Sequence, residues 1–249
     1  MNRLGKLGVV AFAYALLAGG PGAATEPETD ANLVTGLDFS HSVSFEEHRL
    51  VQEGLAQALL SPEFLHAIHA GRHGRIGFAV FGWHTTTIPL LPWMLIGSAD
   101  DARLAVDRIR AAIMEQVVTE AALRRAEGRF GRPTDLSHAL SSASAMLLRA
   151  PFAPARSVIN IVGNGTDNVN EGPRPARDVA LGLGFTVNGV VLGADLDLVE
   201  YFRRNVAGGS GSFVVCVPEA RDMAEVLTRK LLNDIIVGFR GGPEPGPGR

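Results

Sequence analysis

The chain has a single cysteine, Cys216. No disulfide can form within it, and the apolar run SFVVCVP around the thiol offers none of the partners a reactive cysteine needs. Cys216 is therefore expected to be a small buried hydrophobe without a chemical role. Basic excess is missing too. A formal net charge of -3 leaves no surplus of Lys and Arg from which a broad phosphate-binding face could be built, which excludes nucleic acid as the expected partner. Internal repeats are absent, and nothing marks a second core. What remains, 46% apolar and 20% charged residues over 249 positions, is the composition of an ordinary globular domain.

The first two dozen residues differ from the rest. Arg3 and Lys6 precede the apolar run GVVAFAYALLAGG, and the small residues of PGAA follow. That is the order of a secretory signal, and the run is shorter than the ~20 residues a spanning helix needs. Residues 1–24 are expected to be a signal peptide cut near Ala24. The mature chain is then periplasmic or secreted, with no stable membrane insertion after cleavage. Residues 25–31 read as a polar leader, 32–238 as one domain, and 239–249 as a disordered Pro- and Gly-rich tail.

Within the domain, apolar runs alternate with helical periods. NLVTGLDF reads as a first strand, and Ser44 to Leu60 as a helix whose Ser44 and Glu47 are spaced as a capping box. RIGFAVFGW and TTTIPLLPWMLI read as two antiparallel strands. A helix opens at Ser98 through DARLAVDRIRAAI, and MEQVVTEAALRRAEGRFGRP follows as a partly helical surface excursion. Thr134 opens the next helix, and RSVINIVG reads as a strand buried on both faces. Then come a helix ARDVALGLG, a strand FTVNGVVLG, a helix DLDLVEYFRRNV, a strand SFVVCV and a closing helix EARDMAEVLTRKLLNDIIV. Such alternation predicts a three-layer α/β fold: a mostly parallel sheet with one antiparallel edge strand and helices on both faces.

In sheets of this kind ligands bind beyond the carboxyl ends of the strands. Three polar loops fall there: Asp38 to Ser42, Thr134-Asp135, and Asn164 to Asp167. Residues two apart point the same way from an extended segment, so Asp38, Ser40 and Ser42 converge while Phe39 turns inward. Asp38 is expected at the strand end, facing solvent. A carboxylate with hydroxyls and water is the oxygen set that Mg²⁺ takes. The same residue types also serve as helix caps and turn formers, which is the reading of a scaffold without metal. His66, His69 and His73 share a helical spacing, but Gly71 and Gly74 interrupt it and no carboxylate or cysteine completes a zinc set.

D-x-S-x-S after the first strand, a Thr opening a helix some ninety residues on, and a Gly-flanked polar residue after the next buried strand resemble the metal-ion-dependent adhesion site of von Willebrand factor type A domains. PWMLI, FTVNGV and YFRRNVAGGSGSFVV resemble a bacterial family of exported von Willebrand A-like proteins of unknown function. The resemblance implies a Rossmann-like von Willebrand A fold. It also implies Ser40, Ser42 and Thr134 as direct ligands of Mg²⁺ or another divalent cation, with Asp38 and Asn164 acting directly or through water. Asn164 stands where the family normally has Asp, and His41 where it has Gly; Asp135 and Asp167 are candidates to restore the charge. The implied function is a protein-binding module whose partner supplies an Asp or Glu to the metal. No nucleophile and base pair points to an enzyme. The alternatives are a metal-independent interaction scaffold and a metal-assisted hydrolase with His41 or His138 as base.

Overall fold

The computed structural model describes residues 26–127, 133–169 and 171–240. The expected signal peptide lies outside the described residues, as does the expected tail except for Phe239 and Arg240, which belong to the last helix and not to a disordered tail. In chain order the elements are β1 (Glu28–Thr29), β2 (Asn32–Asp38), α1 (Phe45–Leu60), α2 (Pro62–His69), β3 (Ile76–Trp83), β4 (Thr87–Ile96), α3 (Ala99–Glu127) and α4 (Leu136–Leu148). They continue with β5 (Ala153–Pro154), β6 (Ser157–Gly163), α5 (Arg174–Gly182), β7 (Thr186–Leu192), α6 (Leu196–Asn205), β8 (Val214–Val217) and α7 (Met223–Arg240).

The main sheet runs β4-β3-β2-β6-β7-β8. Every neighbouring pair in it is parallel except β3 with the edge strand β4. β2, β3 and β7 are buried at every residue, as near-continuous Val, Ile and Leu runs demand when helices cover both faces. On one face Leu33, Val158 and Val190 pack with Leu55 of α1, Val106 of α3 and Leu231 of α7. On the other, Val34, Ile159 and Val187 pack with Leu140 of α4, Ala180 of α5 and Phe202 of α6. A side chain at Gly54 would run into Met223 and Leu227, so this glycine lets α1 and α7 lie close together. The three-layer α/β architecture is the one the alternation predicts.

Buried polar groups cross the first face. Thr35, Asn160 and Asn188 are register neighbours on β2, β6 and β7. Asp234 of α7 accepts from the Asn160 and Asn188 amides, each at 2.9 Å, and pairs with Lys230. Arg156 adds a bond to the Asp234 backbone carbonyl at 3.2 Å. Burying a charge is tolerable only with such partners.

Four expectations are corrected. Part of the leader is a strand, since β1 pairs in parallel with β5. The residues after Ile113 form no separate excursion but continue α3 through Glu127, because MEQVVTEAALRRAE holds neither Gly nor Pro to stop a helix. A further helix, α2, is capped by Ser61, whose hydroxyl accepts from Phe64 N–H at 3.2 Å and donates to Ala58 O at 2.9 Å. Cys216 is half-buried, not buried, and its thiol donates to Gly193 O at 2.9 Å. Among the described residues no helix is long and apolar enough to cross a membrane.

Candidate metal centre

The connection leaving β2 runs through α1 on one face of the sheet, while that leaving the adjacent β6 runs through α5 on the other. Their carboxyl ends therefore border the crevice where the connections diverge. Asp38 is the last residue of β2, and its Oδ1 accepts from Ser40 N–H at 2.7 Å, a local turn that Asp side chains favour. Phe39 turns inward and stacks on His48 with ring centroids 4.3 Å apart. The imidazole Nε2 of His48 lies 3.0 Å from Asp38 O. Ser44 then caps α1 in a capping box with Glu47, so the same few residues end a strand, turn and start a helix.

The expected convergence is present. Ser40 Oγ and Ser42 Oγ are 2.9 Å apart, and Ser42 Oγ donates to Asn164 Oδ1 at 2.7 Å. The second loop joins through Thr134: its N–H donates to Asn168 Oδ1 at 2.9 Å and its carbonyl accepts from Asn168 N–H at 3.0 Å. A Cβ at Gly165 would stand 3.4 Å from Thr134 Oγ1 and 4.0 Å from Ser42 Oγ. Asp38, Ser40, Ser42, Thr134 and Asn164 thus gather at one place.

Asp38 does not face solvent as expected: it is 3% exposed. β2 is central in the sheet, and Trp83 and Gly163 stand on either side of it. Its Oδ2 has no hydrogen-bond partner. Burial pushes the carboxyl up to about 6, with the Ser40 hydroxyl, the Ser40 N–H and the Asn164 N–H pulling it back and Glu47 adding to the rise; of these donors only the Ser40 N–H closes a well-formed bond, and that to Oδ1. A buried carboxylate oxygen without a donor calls for positive charge or a proton.

The expected compensating carboxylates are engaged elsewhere. Asp135 caps α4 by accepting from His138 N–H at 2.8 Å, and Asp167 accepts from the N–H groups of Ser137 and Val169, both at 3.2 Å. The second carboxylate at the site is Glu47. Its Oε1 accepts from Asn164 Nδ2 at 3.2 Å. Burial raises its pKa, but bonds from Ser44 N–H, the Ser44 hydroxyl and Asn164 leave it below the usual glutamate value. Sequence reading missed it because the capping-box spacing already explained the residue. The signal was there: a helix that starts at a ligand loop brings its third residue back over that loop.

The candidate bases divide. His138 Nε2 lies 3.0 Å from Thr87 Oγ1 and 3.3 Å from Ser142 Oγ, and His41 is exposed. His69 contacts Gly97 O at 2.8 Å, and His73 N–H donates to Asp30 at 3.0 Å. Among the described residues no three His, Cys, Asp or Glu side chains form a metal-holding group, so an ion here would rest on hydroxyl and amide oxygens as well. The donors at Asp38 are hard oxygens, which suit Mg²⁺ and similar ions better than soft metals. Gly163 and Gly165 keep the space beside them clear, since a Cβ at Gly163 would stand 3.1 Å from Asp38 Oδ2. The residues present fit a divalent ion.

Known structures share this architecture. The chain is similar to proximal thread matrix protein 1 from the mussel byssus, at 12% identity and TM-score 0.58 over 85% of this chain and 49% of that one. A structure of that protein with a zinc-occupied adhesion-site motif aligns at 13% identity and TM-score 0.56 over 85% and 49%. A von Willebrand factor type A structure from Catenulispora acidiphila aligns at 14% identity and TM-score 0.56 over 82% and 42%. The chain thus spans half or less of the length of these structures. No match is found among curated proteins. The fold is that of a von Willebrand factor type A domain, and by the match over residues 28–238 the chain belongs to the family described as "Protein of unknown function (DUF1194)".

Proposed function

We propose that the protein is an exported protein-binding module whose adhesion-type site takes Mg²⁺ or another divalent cation. One observation carries the reading: Asp38 Oδ2 is buried without a partner at the start of the turn that pairs the Ser40 and Ser42 hydroxyls. Asp38, Ser40, Ser42, Thr134 and Asn164 would hold the ion. When bound, it would supply a charge with an open position for an Asp or Glu of a protein partner. The chain's own part is to present oxygens from three loops already tied together, and to keep Asp38 away from bulk water. The zinc-occupied motif in the mussel protein supports a metal at this place in the fold. The order of basic, apolar and small residues before Thr25 supports export.

A binding role is favoured over hydrolysis because His138 is engaged by Thr87 and Ser142 at the β4 edge. One observation favours a metal-independent scaffold instead: the Ser42 hydroxyl is already satisfied by Asn164. Thermal shift of wild type and Asp38→Asn with and without millimolar Mg²⁺, Mn²⁺ or Zn²⁺ separates the two. Stabilisation of wild type alone is expected; equal melting in every condition rejects the metal site.

A further inference from the structure

The Asn164 amide has two ends with opposite needs. Its Oδ1 accepts from Ser42 Oγ at 2.7 Å, while its Nδ2 donates to Ser42 O at 3.1 Å and to Glu47 Oε1 at 3.2 Å. An amide turned end for end keeps its shape, so its partners decide which end points where. An ionised glutamate only accepts, so it holds the NH₂ end and repels the oxygen end. Glu47 is itself fixed, because its other oxygen accepts from Ser44 N–H at 2.7 Å.

We infer that Glu47 is a positioning residue: it orients the Asn164 amide so that Oδ1 faces the Ser40–Ser42 pair, and it places a negative charge beside Asn164, which carries none. A neutral residue thereby offers the site an oxygen. This rests on the reading of that site as one for a divalent cation.

The arrangement makes a prediction that a plain capping role does not. Gln at position 47 keeps the capping box, since Gln serves there as Glu does. It has one oxygen, however, and with that oxygen on Ser44 N–H its NH₂ meets the Asn164 NH₂. Two donors then face each other and only Ser42 O still holds the NH₂ end, so the Asn164 amide is expected to turn over for part of the time, drawing Oδ1 away from Ser42 Oγ. With Asp at 164 no end needs choosing, and only the charge of Glu47 is left to matter.

The Glu47→Gln change should therefore act more strongly when residue 164 is Asn than when it is Asp. Mn²⁺ titration by calorimetry of the full chain, of Glu47→Gln, of Asn164→Asp and of the double variant is the test. Affinity is expected to fall roughly tenfold on Glu47→Gln when residue 164 is Asn, the usual size for losing an outer-shell partner. The fall is expected to be clearly smaller when residue 164 is Asp, where only the Glu47 charge and not the amide's orientation is lost. An equal fall in both backgrounds overturns the inference.

A second readout needs no metal. The side-chain NH₂ resonances of Asn164 in the metal-free protein should move on Glu47→Gln and stay in place on Ser44→Ala, which breaks the box from the other side. If none of the four proteins binds Mn²⁺, the metal reading fails. The orienting role is then judged by these resonances: a shift supports it and no shift refutes it.

Discussion

Asp38 and Trp83 are register partners on β2 and β3, and each has a buried polar atom, Oδ2 and Nε1, with no hydrogen-bond partner. A Cβ at Gly163 would stand 3.1 Å from that carboxylate oxygen and 3.4 Å from Trp83 Cζ2. The carboxylate and the indole thus flank one point on β6, and the absence of a side chain there leaves both in place. Gly163→Ala is expected to cost about 1–2 kcal/mol by overpacking and to remove the Mn²⁺-dependent rise in melting temperature. Urea unfolding with and without Mn²⁺ checks it; a variant with wild-type stability and metal response contradicts this account of the glycine.

Asp38→Asn should stabilise the metal-free protein at neutral pH, by about 1 kcal/mol. It removes a charge from a buried position while Oδ1 still accepts from Ser40 N–H. The same change should abolish any response to divalent ions. Chemical unfolding at pH 7 in the presence of a chelator measures the first effect. A destabilised variant would instead make the carboxylate a structural cap of the turn.

Much of this was legible in the sequence. Alternating runs and helical periods placed the six strands of the main sheet, and the two-residue rhythm of Asp38, Ser40 and Ser42 placed the serines together. The depth of Asp38 was not legible, because burial at the end of a strand depends on what the neighbouring strands carry, here Trp83 and Gly163. Glu47 was hidden for a different reason: one local rule accounted for it fully, and its contact with Asn164 spans 117 positions. The β1–β5 pair was missed because two residues carry no periodicity.

The buried cluster on α7 gives a prediction far from the site. Asp234→Ala leaves the Lys230 ammonium and the Asn160 and Asn188 amides without their shared acceptor, and should cost about 3–5 kcal/mol. Guanidinium melts of the variant check this value. A loss under 1 kcal/mol would show that water fills the gap.

Lys230 adds a pH dependence. Burial holds its ammonium below the ordinary lysine range, with Asp234 opposing the shift. The folded chain then releases this proton at lower pH than the unfolded chain does. Between those two values the unfolded state binds more protons, so the contribution to stability grows as pH rises toward ~10.4 and is lost as pH falls through the folded value. Unfolding free energies of wild type minus Lys230→Met, measured from pH 7 to 10, should climb. A flat difference would mean the lysine stays charged throughout in both states.

Ser44→Ala should cost about 1 kcal/mol, and Ser44→Gly only a few tenths, as for other helix caps. Asp195, whose carboxylate accepts from Asp197 N–H at 2.9 Å and Leu198 N–H at 3.1 Å at the start of α6, gives a matched control away from the site. A Ser44→Ala loss much larger than that of Asp195→Ala would mean that the cap also holds the loop in shape.

The reciprocal bonds between Thr134 and Asn168 bind the second loop to the third before any ligand arrives. An ion at the proposed site would therefore have little chain to order, and the entropy that flexible loops lose on closing would be absent from the binding step. Stripping water from the cation would become the main barrier, so association should track how readily each metal gives up its hydration shell. Mn²⁺ would enter faster than Mg²⁺, and the protein would look much the same before and after.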